Sequence, residues 1–316
     1  MSSNQIKVKV TSVKQVAPMI REFTLVSSFD QLSPFSPGAH VIVEMQNNME
    51  TYRNAYSLLS NPLDSSMYKI AVRLQDQSRG GSVFMNQMVK VGDELLITHP
   101  ANFFAPNWKA KKHLLLAGGV GITPFMSYIP EMQRNGQKFE LHYMFHGNQT
   151  GAYKASLEQQ LGDDFYHYDS DLGKRCELQK LIISQPLGTH IYVCGPASLI
   201  EQTKSVAAEI GLPSSMVHFE AFNVPKAGEP FLVEIKNTGK TILVGPEQSL
   251  LEALEAANVS IPNSCRGGVC GQCACKVLDG EIEHRDSFLA DSEKALGNVV
   301  MACVSRAQNE RLVLDI

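Results

Sequence analysis

The sequence predicts a multidomain protein of β and α/β type: an antiparallel β-barrel, an α/β segment built on a parallel sheet, and a small β-rich C-terminal module. Three observations predict it. Short β-rich runs broken by proline and glycine occupy residues 1–104; apolar strands alternating with helical stretches occupy residues 105–226; and a new hairpin followed by a cysteine-rich loop occupies residues 227–316. The first pattern is that of antiparallel strands joined by turns, and the second is that of βα units, which need a parallel sheet.

Composition is consistent with several folded domains. At 316 residues the chain exceeds what one hydrophobic core usually serves. Hydrophobic residues make up 44% and charged residues 19%, as in globular rather than disordered chains. The N-terminus, MSSNQIKVKV, carries no apolar signal-peptide core, and no run approaches a membrane span, so a soluble, cytoplasmic protein is expected. The net charge of -4 sits wholly in the C-terminal module, where residues 231–316 hold 8 basic and 12 acidic side chains. An acidic module repels phosphate backbones, which argues against nucleic acid and for a protein partner with a basic patch.

In the first region the runs Ile6 to Val10, His40 to Met45 and Tyr68 to Leu74 read as strands, separated by Pro34, Pro37, Gly38 and Pro62. In the second, strands are expected at His113 to Ala117, Phe139 to Phe145 and Ile191 to Cys194, and helices at Phe125 to Arg134 and Tyr153 to Leu161. Pro130 falls inside the first of those helices, where it is expected to kink or end it. A linker is expected over 224–228, then strands Phe231 to Ile235 and Thr241 to Val244 around an Asn237-Thr238-Gly239 turn. Ser249 precedes an amphipathic helix with Leu250, Leu251, Leu254 and Ala257 on one face.

The strongest chemical signal lies beyond that helix. Cys265, Cys270 and Cys273 are spaced C-x(4)-C-x(2)-C, with Cys303 as a distant fourth, which is the ligand spacing of a plant-type [2Fe-2S] cluster. Three thiolates on one loop can wrap two irons while the fourth closes the cage, and Gly267, Gly268 and Gly271 let the backbone bend tightly. A structural zinc site is the alternative, but zinc ribbons pair two short-spaced dipeptides, and here there is one. Cys275 and Cys176 read as ordinary thiols, and the scattered histidines have no ligand spacing.

A second signal is Ala117-Gly118-Gly119-Val120-Gly121-Ile122-Thr123-Pro124, which follows an apolar strand and opens a helix, with Thr123 suited to the N-cap. Pro124 stands where a third glycine would complete the dinucleotide fingerprint, so this is not the standard Rossmann motif. Cys194-Gly195-Pro196 follows another apolar strand, which puts two glycine-bearing loops at the C-terminal edge of one sheet, where ligands bind.

On these residues the chain resembles the phthalate dioxygenase reductase family of the ferredoxin–NADP reductase superfamily. The resemblance implies a flavin-binding barrel over residues 1–104, a nicotinamide domain over 105–226, and a β-grasp ferredoxin-like domain over 227–316. It implies FMN, NADH as co-substrate and the [2Fe-2S] cluster. The family's R-x-Y-S flavin motif has its counterpart at Asn54-Ala55-Tyr56-Ser57, with Asn54 in place of the arginine. Val72 and Arg73 would belong to the same flavin site. Arg79-Gly80-Gly81-Ser82, before a helix over Val83 to Val89, would be the phosphate loop. Gly118, Gly119, Gly121, Thr123, Gly195 and Pro196 would hold the nicotinamide, Cys194 would lie beside its ring, and Phe222 of Glu220-Ala221-Phe222 would lie against the flavin. Cys194, Phe222 and Thr123 are the expected catalytic set.

Within the family, residues 54–60 and 79–82 are most similar to the reductase components of carnitine monooxygenases, whose partners are Rieske-type oxygenases. That similarity implies electron delivery from NADH through FMN and the cluster to such an oxygenase, which would release trimethylamine from carnitine. A reductase for an aromatic demethylase or dioxygenase, such as vanillate demethylase, is the alternative within the class; an iron–sulfur redox sensor is the alternative outside it. His146-Gly147-Asn148-Gln149-Thr150 after the second strand lacks basic side chains for a 2′-phosphate, so NADH is expected over NADPH.

Overall fold

The computed structural model describes residues 5–28, 31–46, 51–75, 78–222 and 227–316. They fall into two compact units, residues 1–222 and residues 223–316.

In the first unit, β1 (Gln5–Ala17), β2 (Ile20–Ser27), β3 (His40–Gln46), β4 (Thr51–Ser57), β5 (Tyr68–Arg73) and β6 (Glu94–Thr98) form an antiparallel sheet of order β4-β3-β6-β1-β2-β5. Its end strands approach each other, so the sheet curls into a barrel. The period-two alternation is visible in β1, where Val8 and Val10 are buried and Lys7 and Lys9 exposed. Val41, Val43, Leu58, Ile70 and Met85 complete the barrel core. Between β5 and β6, α1 (Gly81–Val83) runs straight into a π-helical turn over Phe84–Met88, in place of the single helix expected over Val83 to Val89.

The same unit contains a five-stranded parallel sheet of order β11-β10-β7-β8-β9, made of β7 (Lys112–Gly118), β8 (Phe139–Phe145), β9 (Phe165–Asp169), β10 (Thr189–Cys194) and β11 (Val217–Glu220). Helices α2 (Thr123–Arg134), α3 (Gly147–Thr150), α4 (Lys154–Leu161), α5 (Leu178–Ile183) and α6 (Ala197–Glu209) connect its strands. Helix α2 passes unbroken through Pro130, contrary to the expected kink or stop. Pro130 removes one intrahelical donor, but Ile129, Glu131 and Met132 on either side are buried, and that burial outweighs one missing hydrogen bond. The two sheets share contacts: Tyr153 Oη donates to Glu22 Oε2 at 2.9 Å, Gly38 N to Ser127 Oγ at 3.0 Å, and Tyr128 donates to the Phe104 carbonyl.

The second unit is a mixed sheet of order β13-β12-β18-β14-β16, formed by β12 (Phe231–Ile235), β13 (Lys240–Val244), β14 (Ala274–Asp279), β16 (Val299–Met301) and β18 (Arg311–Leu314), with a small pair of β15 (Ile282–Glu283) and β17 (Arg306–Ala307). Strands β12 and β18 are parallel and the rest antiparallel. Helix α7 (Leu250–Ala256) packs Leu250, Leu251 and Leu254 onto Val233, Val244 and Leu314, the β-grasp arrangement. Ser249 caps it as expected, and the capping box is closed by Glu252. A short α8 (Asp291–Leu296) precedes β16. The expected linker lies partly outside the described residues.

Candidate functional site

The cysteine loop runs from the end of α7 to β14 without regular structure, and Cys303 reaches it from the turn after β16. All seven cysteines are free. Cys265 is hydrogen-bonded to Cys270 and Cys303, and Cys273 to Cys303, so the four sulfurs form one connected group. The bonds from Cys270 and Cys303 hold Cys265 far below the usual thiol range, and the bond from Cys303 lowers Cys273. The donors Cys270 and Cys303 are pushed up by those same bonds. Four thiols sharing protons are a donor set that metal ions deprotonate and bind. Among the described residues no three His, Cys, Asp or Glu side chains stand ready to hold an ion, and the choice of a binuclear cluster over one zinc rests on the C-x(4)-C-x(2)-C spacing with a distant fourth cysteine.

Local backbone geometry explains the glycines. Gly268 and Gly271 both have φ +74°, in the left-handed region. A Cβ on Gly268 would lie 2.6 Å from Val304 Cγ2, and one on Gly271 would lie 2.3 Å from the Phe288 ring. Arg266, also left-handed at φ +52°, fastens the loop to α7 through a bidentate pair with Glu255 at 2.7 and 2.9 Å. Cys275 lies outside the group on β14, its thiol pushed up to about 12 chiefly by burial.

In the first unit, strands β7 and β10 are parallel neighbours with Ala117 opposite Cys194, so both glycine loops leave the same sheet edge side by side. Their contact is backbone to backbone: a Cβ on Gly121 would meet the Cys194 carbonyl oxygen at 2.2 Å, one on Gly195 the Gly118 Cα at 2.9 Å, and one on Gly118 the Pro196 ring at 2.6 Å. Gly119 is left-handed at φ +55° and open to approach. Thr123 is not the N-cap. The chain is already helical at Ile122, so Thr123 starts α2 and its hydroxyl donates back to the Val120 carbonyl at 3.0 Å. Cys194 is fully buried, and burial together with the Glu220 charge pushes its thiol well up. Ser57 Oγ donates to Glu220 Oε2 at 3.3 Å, which ties the barrel to the end of β11. Phe222 packs, half-buried, against the group containing Cys194, Phe125 and Tyr128.

Beside these loops, Asn54 Nδ2 donates to Tyr56 Oη at 3.2 Å, and burial pushes the Tyr56 phenol well above its ordinary value. A Cβ on Gly81 would lie 2.5 Å from Asn54 Nδ2, and one on Gly80, at φ +106°, 2.3 Å from the Tyr52 ring, so only glycines let this loop lie against β4. Ser82 Oγ donates to Ser78 Oγ at 2.8 Å and accepts from Gln75 N at 3.2 Å, closing the loop. The first-turn amides of α1 have no acceptor within the helix, a setting that suits a phosphate. Val72 is buried, and Arg73 Nε is a buried donor with no partner among the described residues, as expected of a site shaped for a polar ligand. Arg53 does not take the place of Asn54: it points the other way on β4 and pairs with Glu44 at 2.8 Å.

Comparison with known proteins agrees with this geometry. Residues 233–308 match the family described as 2Fe-2S iron-sulfur cluster binding domain, and residues 100–217 match the N-terminal domain of dimethylamine monooxygenase subunit DmmA-like proteins. The chain is 44% identical to the heme-dependent oxidative N-demethylase beta subunit of Ectopseudomonas mendocina, over 99% of this chain and 100% of that one. It is 42% identical to the carnitine monooxygenase reductase subunit of Escherichia coli, over 98% of each. The solved structure of phthalate dioxygenase reductase, described as modular for electron transfer from pyridine nucleotides to [2Fe-2S], superposes with a TM-score of 0.85 at 31% identity, covering 99% of this chain and 98% of that one. Fold and site thus define an electron-transfer reductase with its own iron–sulfur domain. The chain belongs to the phthalate dioxygenase reductase family.

Three features went unread in the sequence: the Arg266–Glu255 fastening, the Ser57–Glu220 bond, and the network around Asp286 described below. The first two pair residues 11 and 163 positions apart, and the third joins a local turn to Ser305, 19 positions on, so none has a spacing that carries a signal.

Proposed function

We propose that this protein carries electrons from NADH through FMN to a [2Fe-2S] cluster and on to a Rieske-type oxygenase that cleaves a quaternary amine, carnitine in the first instance. Residues 1–104 would bind FMN, residues 105–226 the nicotinamide, and residues 227–316 the cluster. The observation that carries the electron route is the convergence of Cys265, Cys270, Cys273 and Cys303 on one point of the C-terminal fold.

The chain's own residues have distinct tasks in this reading. The four cysteines hold the cluster. Gly80, Gly81 and Ser82 offer backbone amides to the flavin phosphate, Asn54, Tyr56 and Ser57 line the ring along β4, and Val72 and Arg73 border it on β5. Gly118, Gly119, Gly121, Gly195 and Pro196 let the nicotinamide cofactor approach the sheet edge, Thr123 and Cys194 floor its ring, and Phe222 covers the flavin. A flavin, when bound, accepts a hydride as two electrons and releases them singly, which is what a one-electron cluster requires. Positioning is the protein's contribution, and no general acid or base is needed. Asp169 supports NADH over NADPH: its Oδ1 accepts from Gly147 N at 2.8 Å after β8, placing negative charge where a 2′-phosphate would be repelled.

The carnitine assignment is supported by 42% identity along almost the whole of a carnitine monooxygenase reductase subunit. A second reading is favoured by the 44% identity to a heme-dependent oxidative N-demethylase subunit, and it would make the electron acceptor a haem oxygenase acting on a smaller alkylamine. Mixing the purified protein and NADH with each oxygenase in turn tests both. Trimethylamine from carnitine, formed only when this chain is present, is the expected result; turnover with the haem N-demethylase alone would replace the Rieske partner by the haem one.

A further inference from the structure

The segment 284–289 is held across the cysteine loop by one buried carboxylate. The Asp286 side chain is fully buried. Its Oδ2 accepts from the backbone amides of Phe288 at 3.2 Å and Leu289 at 2.9 Å, so the carboxylate ties its own turn. Its Oδ1 accepts from Ser305 Oγ at 3.3 Å and lies 3.5 Å from His284 Nδ1. Ser305 is itself fully buried, stands two residues after Cys303, and accepts from Arg285 N at 3.1 Å.

The same segment touches the other ligand-bearing loop. Ser287 N donates to the Gly268 carbonyl at 3.0 Å, a Cβ on Gly268 would come within 3.2 Å of Asp286 Cα, and the Phe288 ring rests on Gly271. Gly268 and Gly271 sit between Cys265 and Cys273, so the strap touches the loop that carries three of the cysteines and, through Ser305, the turn that carries Cys303. Lys294 Nζ, donating to the Asp286 carbonyl at 2.8 Å, holds it from α8.

We propose that Asp286 is the positioning residue of the cluster: it locks the loop of Cys265, Cys270 and Cys273 to the turn of Cys303, and its buried negative charge lowers the cluster's reduction potential. Buried hydrogen-bonded carboxylates are costly to place, and here the site supplies three hydrogen bonds in return. Charge and hydrogen bonding around ligand sulfurs are the means by which a protein sets such a potential. A fixed negative charge close by opposes addition of an electron to a cluster that already carries four thiolates.

This inference rests on the assignment of the four cysteines as ligands, and the two fail separately. Full-length protein lacking any [2Fe-2S] electron paramagnetic resonance signal on reduction would remove the assignment itself. With the signal present, potentiometric titration followed by that resonance compares the parent with Asp286→Asn and Ser305→Ala. Asp286→Asn keeps the shape and removes the charge. It is expected to favour the reduced cluster about tenfold at a fixed ambient potential, ~59 mV for one electron, with altered g-values. Ser305→Ala keeps the charge and removes the tie to the Cys303 turn, and is expected to leave the potential near the parent's while losing iron to a chelator several-fold faster. An unchanged potential and resonance in Asp286→Asn overturns the electrostatic role. Should Asp286→Asn take up no cluster, parent-like iron retention in Ser305→Ala overturns the positioning role.

Discussion

Cys303 and Cys275 are the residues that separate ligand from bystander. Both are buried, but only Cys303 is bonded into the thiol group. Cys303→Ala is expected to abolish the cluster's visible bands, and Cys275→Ala to retain them at a stability cost of about 1 kcal/mol for the small cavity. Iron content per chain and thermal denaturation check both. At the other site, Gly121→Ala would drive a methyl group into the Cys194 carbonyl at 2.2 Å and part the two loops. KM for NADH is expected to rise about tenfold, ~1.4 kcal/mol, with the flavin and cluster spectra unaltered; an unchanged KM would show that the loops do not hold the nicotinamide. The cysteines and glycines were legible because their chemistry depends on local spacing. Asp286 was not, since an aspartate in a polar turn reads as solvated surface until its partners at 288, 289 and 305 are known.

At the scale of elements, strong apolar runs such as His113 to Ala117 and Phe139 to Phe145 were legible because both faces of a parallel strand are buried. The edge strands β9 and β11 were not: Phe-Tyr-His-Tyr-Asp and Val-His-Phe-Glu mix polar and aromatic residues without clear period, because an edge strand buries less. The pairing of β10 with β11 brings His190 Nδ1 to 3.0 Å from His218 Nε2 and stacks His218 on Tyr192 at 4.4 Å. Burial, with the facing His190 and His113, lowers His218 from 6.5 to about 4. The unfolded chain therefore binds more protons than the folded one between those two values, so stability rises with pH across that window and is lost as pH falls through it. His218→Gln is expected to flatten the dependence of Tm on pH between 4 and 6.5, by no more than about 2 kcal/mol after solvent screening; an unaltered slope would place the titration elsewhere. In the second unit, the Arg266–Glu255 pair anchors the cysteine loop to α7 with both side chains largely buried. Glu255→Gln is expected to lower stability by about 2 kcal/mol and to hasten cluster loss in chelator, since it strands a guanidinium in the fold.

Over the whole molecule, the sequence discloses the order of modules, barrel then parallel sheet then cysteine-bearing β-grasp, because each has its own periodicity and punctuation. The oxygenase is not disclosed in the same way, since the same electron chemistry serves acceptors with different substrates. Charge is the one long-range clue: the 8 basic and 12 acidic side chains of residues 231–316 suit a partner with a basic face. Electron delivery to the oxygenase is accordingly expected to slow as ionic strength rises, whereas NADH-driven reduction within this chain is not. The central claim, that one chain conducts from nicotinamide to cluster, is tested most directly by anaerobic titration of the purified protein with NADH while its visible spectrum is recorded. Bleaching of the bound flavin together with loss of the [2Fe-2S] bands, and FMN as the flavin released afterwards, is the result expected; a cluster that stays oxidised while NADH is in excess would contradict it.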